Sequence, residues 1–489
     1  MLHFFNTRTG HIEPFKAMND KEVLLYTCGP TVYSSLQIGN WDSFLRWDVL
    51  VRLLQARGYK VTRVMNITDV GHLVSDADDG EDKMQKGARK EGTTAWAIAE
   101  KYTNEFIEGM NTLGCTVPTY YTKATEFIDE QIELIKTLEE KGYTYVIDDG
   151  VYFDTSRFPR YADFARLKLE DNQEGARVEA NRQKKSASDF ALWKFSPVNK
   201  QRDMEWNSPW GKGFPGWHLE CSAMALQKLG PTIDIHTGGI DHIPVHHTNE
   251  IAQSECATGV RFANYWLHNN HLLADGTKLS KSLGNSYTLN DVLAKGFSAA
   301  DFRLFVLQSH YRSESNFTWQ NLTAAQNRLR KWQAYASRRF QVIQPLHTDT
   351  ISKDLKSNKS AVMQKQEEVA KKEATTYLKA FDNAMDNDMD TPNALAAVDN
   401  FLHIIDTHGM MSSIVPEFVK LLQNIADILG IDLFDEDISD VDKKAVQTRE
   451  DYRAQKDWDK SDSIRHHLEE KGIYLTDTPH GVVWSRSKL

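Results

Sequence analysis

A strand, a helix and a second strand follow one another within residues 22–71, and this order constrains the fold more than any other feature of the chain. The apolar run EVLLYT predicts a buried strand within residues 22–33. Apolar residues at helical spacing follow in SFLRWDVLVRLLQARG, which ends in glycine. YKVTRVMNITDVG predicts the next strand. Such a βαβ unit implies a parallel sheet, and ligands bind such sheets at the carboxyl ends of their strands.

The rest of the chain divides into an insertion, a helical part and a small tail. Residues from about 95 to 145 show a helical pattern, YVIDDGVYFDT predicts a hairpin with Asp-Gly at its turn, and TIDIHTGG predicts a further strand. After about residue 300 the pattern is helical, with a polar break near 344–360 and an acidic stretch near 433–442. IYLT and GVVW predict two strands at the end. The simplest organisation is a doubly wound sheet interrupted by an insertion, followed by helices.

Composition excludes several classes of protein. A length of 489 residues predicts several domains. No run approaches the roughly 18 apolar residues of a membrane span, and the start does not resemble a signal peptide, so a cytoplasmic location is expected. The four cysteines have no close spacing, which favours thiols or metal ligands over disulfides. The net charge of −10 does not suggest a general nucleic-acid binder, although a local basic surface remains compatible with it.

Four potential zinc ligands lie far apart in the chain: Cys28, Cys221, His246 and Glu250. Cys28 follows the first predicted strand, where a ligand site is expected. His246 and Glu250 are four residues apart, so they share one face if their segment is helical. Structural zinc sites favour several cysteines in close pairs, whereas scattered ligands that include a glutamate suit catalysis better.

Two segments have the composition of a nucleotide site. GTKLSKSLGN at 276–285 places Lys278 and Lys281 in a Gly-flanked loop, where they could neutralise a triphosphate. From spacing alone, a solvated basic loop is the commoner explanation. LQIGNWDSF places Gly39 and Asn40 just before the first predicted helix, whose N-terminus could receive phosphate. The glycine alone could equally serve only the turn.

Together these segments resemble class I aminoacyl-tRNA synthetases, in which a HIGH-type motif and a KMSKS-type loop hold ATP in a Rossmann-like domain. YTCGPTVY, NITD, SPWGKGFPGWHLECSAM, DIHTGGIDHIPVHHTNEIAQSE and KLSKSLGN occur in the order and rough spacing of cysteinyl-tRNA synthetase. The chain is identified as a member of that family. The resemblance implies a Rossmann-like α/β domain over residues 1–300 with an insertion at about 120–205, an all-α helical domain over 301–435, and an anticodon-binding module over 436–489.

The resemblance also implies a reaction. L-cysteine would be activated with ATP and Mg²⁺ to cysteinyl adenylate and transferred to the 3′ end of tRNA(Cys) by a monomeric enzyme. The four candidate ligands fall on the family's zinc ligands, and that zinc binds the substrate thiol. Cysteine and serine differ by one atom, which an apolar pocket discriminates by only ~1–3 kcal/mol. Because zinc prefers thiolate, selection at the binding step makes an editing site unnecessary.

Further residues match positions that surround the amino acid in this family: Gly29, Thr68, Trp217 and Asp241. Each alone has a commoner explanation, as a turn glycine, a strand-end hydrogen bond, a core aromatic or a turn-capping aspartate. His218, His236 and His247 add an unusual density of imidazoles, and one of them could donate to a metal ligand. No specific role follows for them from the sequence.

The first ATP motif departs from the family pattern, because QIGN replaces HIGH and puts Gln37 and Asn40 at the two histidine positions. The Gln37 amide can donate a hydrogen bond to phosphate but carries no charge, so activity is expected to be retained at a reduced rate. In the second motif Leu279 replaces methionine, a swap that conserves volume.

The C-terminal region resembles the parts of the family that meet tRNA. Asp477 and Trp484 match positions used at the anticodon, where a carboxylate could accept from a base edge and an aromatic ring could stack on a base. The alternative for Trp484 is packing beneath the last strand.

Three other interpretations were weighed. The acidic run SDADDGEDK does not fit an EF-hand, since with Asp76 and Asp78 in the first and third places Gly80 falls at the fifth instead of the sixth. A ligase that joins activated cysteine to a small amine would have no use for the long C-terminal region. A non-catalytic, zinc-stapled RNA-binding protein would not need the intact KLSKS loop.

Overall fold

The computed structural model describes residues 1–71, 82–166, 183–197, 202–280, 284–342 and 353–488. The chain forms two compact units, the first made of residues 1–292 and 311–316 and the second of residues 293–310 and 317–489.

The first unit contains most of the strands. Its described strands are β1 (His3–Asn6), β2 (His11–Pro14), β3 (Glu22–Thr27), β4 (Lys60–Ile67), β5 (Tyr120–Lys123), β6 (Thr144–Ile147), β7 (Gly150–Phe153), β8 (Phe190–Phe195), β9 (Gly213–Pro215), β10 (Ile233–Gly239), β11 (Ala263–Asn269), β12 (Leu272–Ala274) and β13 (Thr277–Lys278), and β14 (Ser315–Phe317) runs to the boundary between the units. Its helices are α1 (Ile38–Ala56), α2 (Lys83–Glu91), α3 (Ala95–Thr112), α4 (Ile128–Glu140), α5 (Trp217–Leu229) and α6 (Thr248–Thr258), and α7 (Leu289–Ala294) ends the unit. A π-helical turn, Ile243–His247, precedes α6.

The central sheet within the described part of the chain has five strands in the order β11-β10-β3-β4-β5. All its neighbours pair in parallel, as the opening βαβ pattern predicts. From β3 the chain proceeds through α1 to β4 on one side, while β10 and β11 extend the sheet on the other. The strand order therefore reverses between β3 and β10, and the carboxyl ends of these two strands are where this fold places a ligand.

The sequence reading of residues 95–145 as helical was wrong in one respect, because β5 lies between α3 and α4 and forms an edge of the sheet. Four residues give too short a run to show an alternating pattern. The β6-β7 hairpin is confirmed, but Gly150 pairs with Ile147 and is not at the turn. A Cβ on Gly150 would lie 2.3 Å from the carbonyl oxygen of Trp193 in β8, so the glycine permits close strand approach.

The second unit is mainly helical and ends in a small hairpin. Its elements are α8 (Ala299–Leu307), α9 (Trp319–Ala336), α10 (Lys353–Asp386), α11 (Thr391–His408), α12 (Val415–Asn424), α13 (Asp440–Ala454), α14 (Trp458–Glu470), β15 (Tyr474–Thr478) and β16 (Gly481–Ser485). β15 and β16 pair antiparallel, which confirms the two strands predicted for the tail. Among the described residues, no helix has the length and apolar character needed to cross a membrane. The fold class is confirmed, and the domain boundaries at residues 300 and 435 remain a prediction.

Candidate active site

A cavity of about 680 Å³ lies in the first unit at the carboxyl ends of β3 and β10. Both nucleotide motifs and part of the proposed metal set meet there. The predicted residues that line it are Cys28, Gly29, Gln37, Gly39, Asn40, Trp217, Asp241 and Lys278. Residues separated by up to 250 positions in the sequence therefore share one cavity at the place where this fold binds ligands.

The four candidate metal ligands converge beside this cavity. Cys28 follows β3, Cys221 lies in α5, His246 in the π-helical turn and Glu250 in the first turn of α6. Their ligand atoms all lie within 4.8 Å of one another, and all four residues are buried. Of the four, Cys28 also lines the cavity, so the cluster opens toward a substrate instead of being closed on all sides.

The donor set fits zinc. A tetrahedral zinc with bonds of about 2.0–2.3 Å separates its ligands by about 3.3–3.8 Å, within the spread of this cluster. The Oε1 atom of Glu250 is buried and accepts no hydrogen bond from a described residue, although the Nε2 atom of His246 lies 3.1 Å away. Two ligand atoms this close to each other are suitably spaced to share one bound cation. Two sulfurs, an imidazole and a carboxylate form a set that zinc favours.

A second group of donors overlaps the first, since Cys28, His236, His247 and Glu250 also lie within 4.8 Å of one another. The Nε2 atom of His236 is 2.9 Å from the second carboxylate oxygen of Glu250. The Nε2 atom of His247 is 3.3 Å from the sulfur of Cys28. The group that contains Cys221 offers two sulfurs and is the better zinc set. His236 and His247 are then the partners that hold two of the ligands in place.

The electrostatics of the cluster suit a divalent cation. Burial alone would raise the pKa of Glu250, but His236 and His246 outweigh it and hold the pKa to about 2. Burial would lower the pKa of His246, yet the charges of Cys221 and Glu250 raise it to about 10. A hydrogen bond from Cys28 lowers the pKa of the Cys221 thiol to about 6, and the same bond raises that of Cys28. Without metal, protons therefore occupy the place of the cation.

His218 and Trp217 border the imidazole of His246. The Nδ1 atom of His218 lies 2.8 Å from Nδ1 of His246, which leaves Nε2 of His246 to face the cluster. The Trp217 ring centroid is 4.8 Å from that of the same imidazole. A ligand histidine whose second nitrogen is bonded has a fixed ring orientation and tautomer. His218 is therefore a partner of a candidate ligand, as are His236 and His247.

Gly29, in the loop that follows β3, contacts the carboxyl end of β4. Its N–H donates to the Oδ1 atom of Asn66 at 2.8 Å. A Cβ on Gly29 would lie 1.8 Å from the backbone oxygen of Asn66, so no larger residue fits this approach. Thr68 is 1% exposed, donates its hydroxyl to Glu220 at 3.0 Å and is not among the described residues that line the cavity. Asp241 is exposed and lines the cavity.

The two nucleotide motifs touch each other. Gln37 precedes α1, and its backbone N–H donates to the side chain of Asn40 at 3.0 Å. The side-chain amide of Gln37 donates to the hydroxyl of Ser286 at 2.6 Å, just beyond the second motif. A Cβ on Gly39 would lie 2.9 Å from the side chain of Leu279. Lys278 is exposed at the cavity, whereas Lys281 lies outside the described residues, as do Asp76, Asp78 and Gly80 of the rejected calcium loop.

The two predicted anticodon residues lie in the second unit. Asp477 accepts from Arg453 at 2.7 Å and from Arg449 at 3.3 Å. Trp484 is 5% exposed, and its ring is nearly parallel to that of Phe340 at 6.1 Å. The structure thus places Trp484 in the packed position that was the alternative to base stacking. The anticodon roles of both residues stay predictions.

Comparison with known proteins adds independent evidence. Residues 14–327 match the family model described as tRNA synthetases class I (C) catalytic domain, and residues 380–434 match a DALR domain. The chain is 41% identical to Cysteine–tRNA ligase 1 of Burkholderia lata over 487 residues, covering 98% of this chain and 96% of the relative. It is 39% identical to the Cysteine–tRNA ligase of Treponema denticola, covering 99% of each.

A solved structure with the same fold is Mycobacterium tuberculosis methionyl-tRNA synthetase in complex with methionyl-adenylate. The TM-score is 0.61 with 13% sequence identity, and the match covers 84% of this chain and 92% of that one. At this identity the likeness shows the fold alone.

Proposed function

This chain belongs to the cysteine–tRNA ligase family of class I aminoacyl-tRNA synthetases, and we propose that it activates L-cysteine with ATP and transfers it to the 3′ end of tRNA(Cys). One observation carries the proposal beyond family membership. A buried cluster of metal donors opens through Cys28 into the cavity that also receives both nucleotide motifs. A site for a thiol and a site for ATP therefore lie side by side, as the formation of an aminoacyl adenylate requires.

The reaction has two steps. The carboxylate of cysteine attacks the α-phosphorus of ATP, and pyrophosphate leaves with its Mg²⁺. A hydroxyl of the terminal ribose of the tRNA then attacks the acyl carbon, and AMP leaves. Neither step needs a protein nucleophile, so the protein contributes positioning and charge stabilisation.

The nucleotide motifs supply that stabilisation. Gln37, Gly39 and Asn40 lie at the N-terminus of α1, where backbone N–H groups and the helix dipole favour phosphate. Lys278 and Lys281 neutralise charge on the phosphate oxygens as the bond to pyrophosphate breaks. The hydrogen bond from Gln37 to Ser286 holds the first motif beside the end of the second.

Cys28, Cys221, His246 and Glu250 would hold one zinc ion, which supplies a coordination position that takes a thiolate in preference to a hydroxyl. The chain's own residues build the rest of the amino-acid site. His218 orients His246, and Trp217 and Asp241 line the cavity beside the cluster. Gly29 keeps Cys28 at its place by holding the loop after β3 against the end of β4. Thr68 supports this site indirectly. Its hydroxyl donates to the buried carboxylate of Glu220, the residue that precedes Cys221 in α5.

The remaining predictions complete the proposal. Residues 1–300 form the catalytic domain with an insertion at about 120–205, residues 301–435 form the helical domain, and residues 436–489 bind the anticodon through Asp477 and Trp484. The enzyme acts as a monomer in the cytoplasm.

The test is the charging of a tRNA(Cys) transcript with L-cysteine and ATP, measured beside cysteine-dependent pyrophosphate exchange. Both activities are expected, with a tRNA for another amino acid as the control for acceptor specificity. Exchange without charging would indicate a small-amine acceptor, and the absence of both would indicate a non-catalytic RNA-binding protein.

A further inference from the structure

A chain of hydrogen bonds runs from the first metal donor to the N-terminal hairpin. The sulfur of Cys28 lies 3.3 Å from Nε2 of His247. Nδ1 of His247 lies 2.7 Å from Nε2 of His268, and Nδ1 of His268 lies 2.7 Å from the hydroxyl of Thr7. His247 is 0% and His268 4% exposed. Thr7 and His268 have no role in the reaction as proposed so far.

Thr7 is held at the end of this chain by the backbone. Its N–H donates to the carbonyl oxygen of Trp266 in β11 at 2.9 Å. The neighbouring side chain of Asn6 donates to the carbonyl oxygen of Asn264 at 3.0 Å and accepts from the N–H of Trp266 at 3.2 Å. The β1-β2 hairpin is therefore fixed on β11, the strand that carries His268. As a result, the hydroxyl of Thr7 has a fixed position beside His268.

If the sulfur of Cys28 is bound to a metal, every hydrogen bond in this chain must donate its proton toward the sulfur. A thiolate has no proton, so Cys28 as a ligand can only accept. His247 must then carry its proton on Nε2, which leaves its Nδ1 to accept from Nε2–H of His268. Nδ1 of His268 becomes an acceptor in turn, and the Thr7 hydroxyl is its donor. The sulfur sets this direction, and the Thr7 hydroxyl, which can donate or accept, completes the chain by donating to Nδ1 of His268.

We propose that Thr7 and His268 are positioning residues that fix His247 in the tautomer whose Nε2–H donates to the sulfur of Cys28, and that they thereby stabilise Cys28 as a metal ligand. The inference rests on the proposed metal centre, but it requires neither cysteine activation nor tRNA charging. Without the hydroxyl of Thr7, the buried Nδ1 atom of His268 loses its donor, and the arrangement that points Nε2–H of His247 at the sulfur loses one supporting hydrogen bond.

The test compares Thr7→Val, which removes the hydroxyl at nearly constant shape, with Thr7→Ser, which keeps it. Zinc affinity is measured by competition with a chelator, and the cobalt-substituted protein is examined for its thiolate-to-cobalt absorption band. Thr7→Val is expected to weaken zinc binding about tenfold, the lower end of effects seen for partners of metal ligands, and to shift the band. Thr7→Ser should match the wild type in both measurements.

A second variant distinguishes this mechanism from a packing defect. If Thr7 acts through His268, then Thr7→Val should add nothing further in a His268→Phe background. Equal zinc affinity and an unshifted band for Thr7→Val would overturn the inference, and so would an undiminished effect in the His268→Phe background. Failure of the proposed function has a different signature, because the cobalt band of Thr7→Val would still shift in a protein that does not charge tRNA.

Discussion

Replacement of Gly29 by alanine is expected to disable the site by moving the backbone that carries Cys28. The backbone of Gly29 does not lie in the left-handed region, so alanine itself brings no conformational strain there. The obstacle is steric, because the new Cβ would lie 1.8 Å from the carbonyl oxygen of Asn66. That oxygen belongs to the backbone of β4, which pairs with a strand on each side, and it cannot rotate away as a side chain would.

The expected loss follows from the displacement. Real Cβ atoms essentially never come closer than 3.0 Å to such an atom, so the loop must move by about 1.2 Å. Misplacement of reacting groups by about 1 Å can cost 10²-fold in rate. Cysteine-dependent pyrophosphate exchange in Gly29→Ala should therefore lose at least about 100-fold in kcat/KM, equivalent to about 2.7 kcal/mol. Zinc affinity should fall as well, since Cys28 is the preceding residue.

Gly39 offers the matched control. A Cβ there would meet only the end of the Leu279 side chain at 2.9 Å, which a rotamer change can relieve. Gly39→Ala should have a smaller effect, and the double variant Gly39→Ala with Leu279→Ala should recover most of the exchange activity. Exchange in Gly29→Ala within about threefold of the wild type, with unchanged zinc affinity, would refute the steric reasoning.

Four further predictions concern the nucleotide motif, the metal cluster and, in two cases, the C-terminal module. Gln37→His should raise the rate of adenylate formation in single-turnover measurements, because an imidazolium adds charge to the donor; no increase would show that the site is adapted to an uncharged amide. Zinc affinity should rise with pH from 7 to 9, by up to about 100-fold per pH unit. The pKa values of Cys28 and His246 are both raised, so both residues are protonated at pH 7, and metal binding releases their two protons. Calorimetry in buffers of different ionisation enthalpy counts these protons, and fewer than one would contradict the assignment. Trp484→Ala should destabilise its module by about 3–5 kcal/mol in denaturant unfolding, since the ring is buried. Asp477→Asn should instead raise the KM for tRNA and leave pyrophosphate exchange unchanged.

Local patterns predicted the elements that have a clear period. The strand β3, the helix α1 and the strand β4 follow from apolar spacing over 22–71, and so does the parallel pairing. β5 did not follow, because a four-residue edge strand has no periodicity and is defined by its pairing with β4.

The metal cluster shows a different limit. Residue types suggested Cys28, Cys221, His246 and Glu250 as ligands, but no spacing rule brings positions 28 and 221 together, and only tertiary structure does so. From the sequence, only the resemblance to a family indicated that these four residues meet.

Two residues behind the ligands, Thr7 and His268, were beyond sequence reasoning. His268 lies in the strand β11 and Thr7 at the end of β1, and neither stands in a motif. Their alignment with His247 depends on the docking of a hairpin on a strand about 260 residues away, which local sequence does not encode. The role of Trp484 did not follow from the sequence either, since stacking on a base and packing under a strand both use an aromatic residue.

The central claim is that the buried donor cluster selects the substrate through its thiol. The most direct test measures pyrophosphate exchange with L-cysteine and with L-serine on one preparation, with its zinc intact, after removal by a chelator and after restoration. We expect one zinc per chain, exchange with cysteine alone, a large rise in the KM for cysteine when zinc is removed, and recovery when it returns. Unchanged preference for cysteine over serine in the zinc-free protein would contradict it.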